Sequence, residues 1–434
     1  MCDSKIKAAF MITLGFITHE ITAQSPELSY EEAGYDPDKL ALVDEELNAL
    51  YSDGLIPNYV VAAAIDGQIF FSVANGETKI GSGNMVNIDT RYQVASMTKP
   101  LVSVVAFKLI EEGLIALDDE IDKFLPMFAD MFVAPGGSLN TLEEANRKIT
   151  ILDLITHTSG LTYGTGVSGA GDVAQLYDEL TPTNRCIAPD ENMEVLSQIP
   201  LVAQPGTEWN YSVGIDVLGV IISKVTGKSL FANISEIILE PLKMERSSFR
   251  YTREIFDTEV SHIGRSPAPG LPALGRIDGS SIDWKIAQPS ESQASLTCGP
   301  ISADLKFESG GGGMTMSVRD YLTFLSMIAN GGVLQGNRIL EESSVNMMLT
   351  EQVKNLNYPA MIGNNIFGAG FGIALEEENA AEVDFYTWGR IFNTGFWINP
   401  SDKSVGVIAT NVAPARYNQT IALEQKFDEA RLSN

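Results

Sequence analysis

The sequence predicts an α+β fold: an antiparallel sheet formed from N- and C-terminal segments, flanked by helices, with a mostly helical domain inserted between them. Three observations predict it. Residues 59–75 form two apolar runs about Asp66-Gly67, a dipeptide that tolerates left-handed backbone and so marks a tight hairpin. Near the other end, residues 385–388, 394–398 and 405–410 are short runs rich in β-branched and aromatic residues, with Asn399-Pro400-Ser401-Asp402 as a turn. Between these ends the apolar spacing is mostly helical.

The elements follow in order. Lys5 and Lys7 precede an apolar run over residues 8–17, which reads as a secretory signal occupying residues 1–24, cut near Ala23 or Gln24. The run is too short to span a bilayer, and the expected location is secreted or periplasmic. A helix over residues 101–112 stops at Gly113, and another starts at Ile151. The run 213–225 is a long buried helix with Gly227 at its C-cap. Ser317-Val318-Arg319-Asp320 has the form of a capping box, opening a helix that stops near Asn330-Gly331-Gly332. A last helix runs over residues 418–431. Residues 25–105 and 305–434 are therefore assigned to the sheet domain, and 106–304 to the helical insert. Two Gly/Pro/Ser-rich stretches, 164–171 and 262–300, have the composition of lids or binding loops.

Composition narrows the function. The 434 residues are 44% hydrophobic, ample for a large core, and carry 56 acidic against 29 basic side chains for a net charge of -27. Nucleic acid and anionic membrane surfaces need a basic footprint and are excluded as partners. No later segment is long and apolar enough for stable membrane insertion, and nothing in the chain signals an oligomeric state. Of the three cysteines, Cys186 and Cys298 remain after the leader; an oxidising compartment permits one disulfide, but two unpaired thiols are the expectation. The three histidines, His19, His157 and His262, form no metal-ligand spacing, so neither metal nor other cofactor is expected.

The chemistry concentrates around Ser96-Met97-Thr98-Lys99. A serine hydroxyl needs a neighbouring base to act as a nucleophile, and a lysine three residues on shares its face of a helix. Spacing alone is weak, because Ser4 and Lys7 repeat it by accident. Tyr211, just ahead of the 213–225 run, could approach Ser96 as a phenolate base stabilised by a cation; alone, a tyrosine so placed is more often a packed one with a satisfied hydroxyl. The stretch Thr387-Trp388-Gly389-Arg390-Ile391 reads as a strand that could offer a backbone N–H to an oxyanion. Other chemistries fail. Gly-x-Ser-x-Gly does not occur, and His157, inside Thr156-His157-Thr158-Ser159-Gly160, fits a structural hydrogen bond better than a triad. The run 310–313 lacks the Lys-Ser/Thr of a phosphate loop and suits tight backbone packing beside a cleft.

These three motifs, with the stretches 154–164, 330–334 and 396–400, resemble the serine β-lactamase and penicillin-binding-protein superfamily. Within it the chain is most similar to class C β-lactamase-like esterases, the family VIII carboxylesterases, from about residue 35 to 425. The resemblance implies a β-lactamase-like fold, Ser96 as acyl-accepting nucleophile, and Lys99 with Tyr211 as its base pair. It implies an oxyanion hole completed by the backbone of Arg390 or Ile391, beside Trp388-Gly389. Tyr163 and Trp388 are the expected pocket-lining residues. Two departures bear on substrate. Val213 stands where the second motif commonly has Asn, and Trp388-Gly389-Arg390 replaces the Lys-Thr-Gly of lactamases. The groups that hold a β-lactam are missing, and a site without such partners discriminates weakly for that ligand. Arg390 also replaces the last glycine of the esterase motif, where a solvent-facing side chain is expected. The expected activity is thus a serine carboxylesterase, with transesterification as a variant, on small esters. A β-lactamase or D-alanyl-D-alanine peptidase, or a non-catalytic binding protein on the same scaffold, are the alternatives.

Overall fold

The computed structural model describes residues 27–261, 264–265, 285–286, 304–354, 356–358, 365–376, 382–389, 391–413 and 419–432. The expected leader, Arg390, Cys298, His19, His262 and most of the 262–300 stretch lie outside them.

Helix α1 (Pro37–Ser52) starts at Asp36, whose carboxylate accepts the N–H groups of Asp38 and Lys39. The hairpin follows as β1 (Asn58–Ile65) and β2 (Gln68–Gly76). Asp66 and Gly67 between them take φ values of 52° and 77°, which lets the turn follow the twist of its strands. Then come α2 (Thr98–Glu111), α3 (Gly214–Thr226) and α4 (Val318–Ala329). Strands β3 (Ile366–Phe367), β4 (Gly372–Leu375), β5 (Val383–Gly389), β6 (Gly395–Ile398) and β7 (Val405–Ala409) precede α5 (Gln419–Glu429).

Seven strands form one antiparallel sheet in the order β3-β4-β5-β6-β7-β1-β2. The two chain ends meet where β7 pairs with β1, Val60 opposite Ala409. β1 is apolar on both faces, as a strand covered on both sides must be. Val60, Ala62 and Ala64 enter the larger core with α2, α3 and α4, while Tyr59, Val61 and Ala63 pack with Leu40, Val43 and Leu47 of α1 and Leu423 and Phe427 of α5. Between the ends the chain is largely helical, including Ile151–Ile155, Gly171–Leu180 and Pro189–Ser197. A small sheet places Thr315–Ser317 between Arg91–Gln93 and Ser247–Ser248, which carries the 310–314 backbone past Ser96.

Two expectations are corrected. Ser317 caps α4, its hydroxyl accepting Asp320 N–H at 3.1 Å. The reciprocal half of the capping box is replaced: the Asp320 carboxylate accepts Arg246 N–H at 2.8 Å and the Ser247 hydroxyl at 2.7 Å, while Ser317 N–H goes to Arg246 O. The strand paired beside Thr315–Ser317 reaches these groups first. Cys186 is disulfide-bonded, not a free thiol, and neither other cysteine lies among the described residues. Among the described residues no helix is long and apolar enough to cross a membrane.

Candidate active site

Ser96 lies in a 3-10 turn, Ala95–Met97, that runs directly into α2. Ala95 takes φ 44°, a left-handed conformation costing of order 1–3 kcal/mol for a residue with a Cβ. Buried Val94 and Met97 bracket Ala95 and Ser96, and the turn presents Ser96 at the helix mouth. Lys99 returns one turn later with its Nζ 3.3 Å from Ser96 Oγ. Lys99 is fully buried, so its amino group must find partners inside the protein. It donates to Gly311 O at 2.6 Å and lies over the Tyr211 ring, 4.6 Å from the centroid, and the Tyr163 ring, 5.5 Å away.

Tyr211 sits just before α3, and its hydroxyl donates to Ser96 Oγ at 2.6 Å. Aromatic packing fixes the ring. His157, Tyr163 and Trp388 have ring centroids 4.8, 5.2 and 5.4 Å from it. His157 takes φ 59° after the Ile151–Ile155 helix and is fully buried, with Nδ1 3.2 Å from Ser212 Oγ. Burial, and then the charge of Lys99, push its imidazole well below the ordinary histidine range, so it stays neutral. It wedges Tyr211 from behind, which agrees with the structural role read from the sequence. Val213 is buried in the core and offers the cleft no polar group.

The 310–313 glycines do pack tightly. A Cβ at Gly310 would meet Ile215 O at 2.6 Å, one at Gly313 would meet the Phe249 ring at 2.7 Å, and one at Gly311 would collide with the Asp216 carboxylate. Asp216 is a centre that motif spacing does not reveal. Its Oδ1 accepts the Ser309 hydroxyl at 2.6 Å and Gly311 N–H at 3.0 Å, so a single carboxylate anchors the glycine whose carbonyl holds Lys99. Burial pushes its carboxyl above the ordinary range, against hydrogen bonding by Ser309, the charge of Lys99, Gly311 N–H and the charge of Arg185. A sequence signal existed, since Asp216 is the lone acid in the apolar run of α3.

The third motif ends β5. Trp388 packs on Phe367 as well as Tyr211, with ring centroids 4.9 Å from the former. Gly389 takes φ 155° opposite Gly395, and a side chain there would collide with the Thr394 carbonyl. Arg390 is undescribed, and Ile391 follows at the cleft. A cavity of about 140 Å³ is lined by Ser96, Tyr211, Tyr163, Ile391, Phe392, Gln93, Thr183, Arg185, Asp216 and the 311–315 backbone, among others. Burial, then Tyr211, Asp216 and Tyr177, push the Tyr163 hydroxyl well above the ordinary tyrosine range, which keeps it a neutral phenol. The structure thus brings Ser96, Lys99, Tyr211, Tyr163 and Ile391 together, with Trp388 and Gly389 supporting from the adjoining strand. Among the described residues no group of three or more His, Cys, Asp and Glu side chains could hold a metal ion.

Comparison with known proteins gives the same outline. Protein Rv1367c of Mycobacterium tuberculosis is 30% identical over 341 residues, covering 75% of this chain and 78% of that protein. Esterase EstB of Burkholderia gladioli is 28% identical over 412 residues, covering 88% of this chain and 94% of its own. Among solved structures, EstCE1, described as a hydrolase with promiscuous acyltransferase activity, superposes with a TM-score of 0.70 at 22% identity, over 91% of this chain and 99% of that one. That similarity establishes the β-lactamase-like fold. The family model described as Beta-lactamase matches residues 43–426, and the chain belongs to the β-lactamase family.

Proposed function

We propose that this protein is a serine hydrolase that cleaves small carboxylic esters through an acyl-enzyme on Ser96. The observation that carries the reading is the convergence of the Tyr211 hydroxyl and the Lys99 amino group on Ser96 Oγ, at 2.6 and 3.3 Å. Once the trio has lost one proton, the Ser96 proton passes to Tyr211 as Oγ attacks the ester carbonyl. Tyr211 returns that proton to the departing alcohol, leaving the acyl group on Ser96. Water, or a second alcohol in transesterification, then attacks the acyl carbon and gives its proton to Tyr211, which passes it to Ser96 Oγ as the acyl–serine bond breaks and the acid or new ester leaves. Backbone N–H groups of Ser96 and of the Arg390–Ile391 region would hold the oxyanion. Buried Val213 and the Trp388-Gly389 strand end supply no lactam-holding amide or ammonium, which favours esters over β-lactams. The similarity to an esterase across most of both chains supports the same choice. We further infer that residues 1–24 direct the chain to a secreted or periplasmic location.

The test is a panel of p-nitrophenyl esters and a chromogenic cephalosporin, run on wild type and Ser96→Ala. Wild type should cleave short esters far better than the cephalosporin, and Ser96→Ala should lose ester turnover at least ~10³-fold. An activated phosphonate should add its mass to Ser96 in wild type alone. Ester turnover at the wild-type rate in Ser96→Ala would sink the nucleophile assignment. An absence of both labelling and turnover would favour a binding protein.

A further inference from the structure

We propose that Arg185 is a carboxylate-recognising residue of this cleft, so that the preferred esters carry an anionic group besides the bond that is cleaved. The inference rests on the esterase reading above and names its substrate class.

Arg185 lines the same cavity as Ser96 and Tyr211, yet it is only 6% exposed. A buried guanidinium normally finds a carboxylate or a full set of acceptors, because five N–H donors lose water together. Arg185 has neither. Its Nη2 reaches one carbonyl, Gly313 O, at a long 3.4 Å, and its buried Nε has no acceptor. No carboxylate among the described residues lies within ion-pair distance of it. The nearest balancing acid in the cleft is Asp216, and its Oδ1 already accepts from Ser309 and Gly311.

Among the described residues lining the cavity, Asp216 is the one acid, and it makes no ion pair with Arg185, so an anionic ligand would supply the partner that the guanidinium lacks. A planar carboxylate matches the guanidinium fork and would accept from the vacant Nε and a neighbouring Nη. Gln93, Thr183 and Thr315 line the same cavity as neutral polar groups and impose no repulsion on an anion. A rival, purely structural role is also concrete, since the Gly313 contact could brace the glycine run. That role would affect charged and neutral substrates alike.

The test compares matched pairs. For an anion on the acyl side, p-nitrophenyl hemiglutarate is set against p-nitrophenyl pentanoate; for one on the alcohol side, 4-carboxyphenyl butyrate against phenyl butyrate. Wild type should prefer the anionic member of at least one pair, at least about tenfold in kcat/KM and mainly through KM. Arg185→Gln should erase that ratio, and Arg185→Lys should keep part of it. Calorimetry on wild type, which needs no turnover, should find glutarate binding more tightly than glutaramide. Neutral and anionic esters cleaved alike in both pairs, with no preference for glutarate, would overturn the inference and leave the hydrolase intact. A ratio unchanged in Arg185→Gln would overturn it as well. Glutarate binding lost in Arg185→Gln, in a protein that cleaves no ester, would sustain the anion site while sinking the hydrolase.

Discussion

Asp216 makes two hydrogen bonds, but its effect reaches Ser96 through Gly311 and Lys99. Replacing it by Asn leaves a hydrogen-bond acceptor and removes the charge. We expect Asp216→Asn to lower kcat for a short ester by roughly 10–100-fold with a smaller change in KM, since positioning rather than substrate contact is lost. A steady-state comparison checks this, and equal kcat values would remove Asp216 from the account. Tyr211→Phe keeps the aromatic cluster and deletes the hydroxyl that meets Ser96; it should cost about 10²–10⁴-fold in kcat. The sequence made Ser96, Lys99 and Tyr211 legible because each sits in a recognisable string. Asp216 and Arg185 were not legible as site residues, because their place depends on how the 309–313 backbone folds past them. A lone acid in an apolar helix hinted at burial, while Arg185 stands in a loop with no periodicity to read.

At the scale of elements, the junction of β5 with β6 is the most constrained piece beside the cleft. Gly389→Ala would force a Cβ into the Thr394 carbonyl at φ 155°, so we expect a loss of about 1–3 kcal/mol and lower activity. Urea unfolding measures the first and an ester assay the second. Docking of α5 on the sheet offers a pH-linked test. Glu424 is 2% exposed, and burial, reinforced by Asp384, pushes its carboxyl up to about 8. Its pKa is raised in the fold, so its contribution is fully present below the unfolded value near 4.5 and is lost as pH rises through about 8. Glu424→Gln should therefore raise Tm at pH 9 by several degrees and change it little near pH 4, which thermal scans at the two pH values can decide. The strands were legible as continuous apolar runs bounded by turn residues, and the long helices by their apolar spacing. The Ser317 cap was only half legible: which carboxylate partners win depends on a strand from residues 247–248 that no local string announces.

For the whole molecule, a net charge of -27 is spread over a fold whose cleft holds Lys99 and Arg185. Self-repulsion should be strongest at low ionic strength. Raising salt from about 10 mM to about 150 mM should increase Tm, because the screening length shortens to ~8 Å. A fall in Tm would mean that attractive surface pairs dominate. The pairing of Val60 with Ala409 also sets a timetable. On the ribosome β1 and β2 emerge early, and β7, the neighbour that covers the inner edge of β1, is made near the end. At 5–20 residues per second the hairpin waits on the order of tens of seconds for it. Ser96 is synthesised in the same early portion, beside an unfinished sheet. The nascent chain therefore carries Ser96 long before it has a cleft, and β7 is the piece whose arrival completes the sheet.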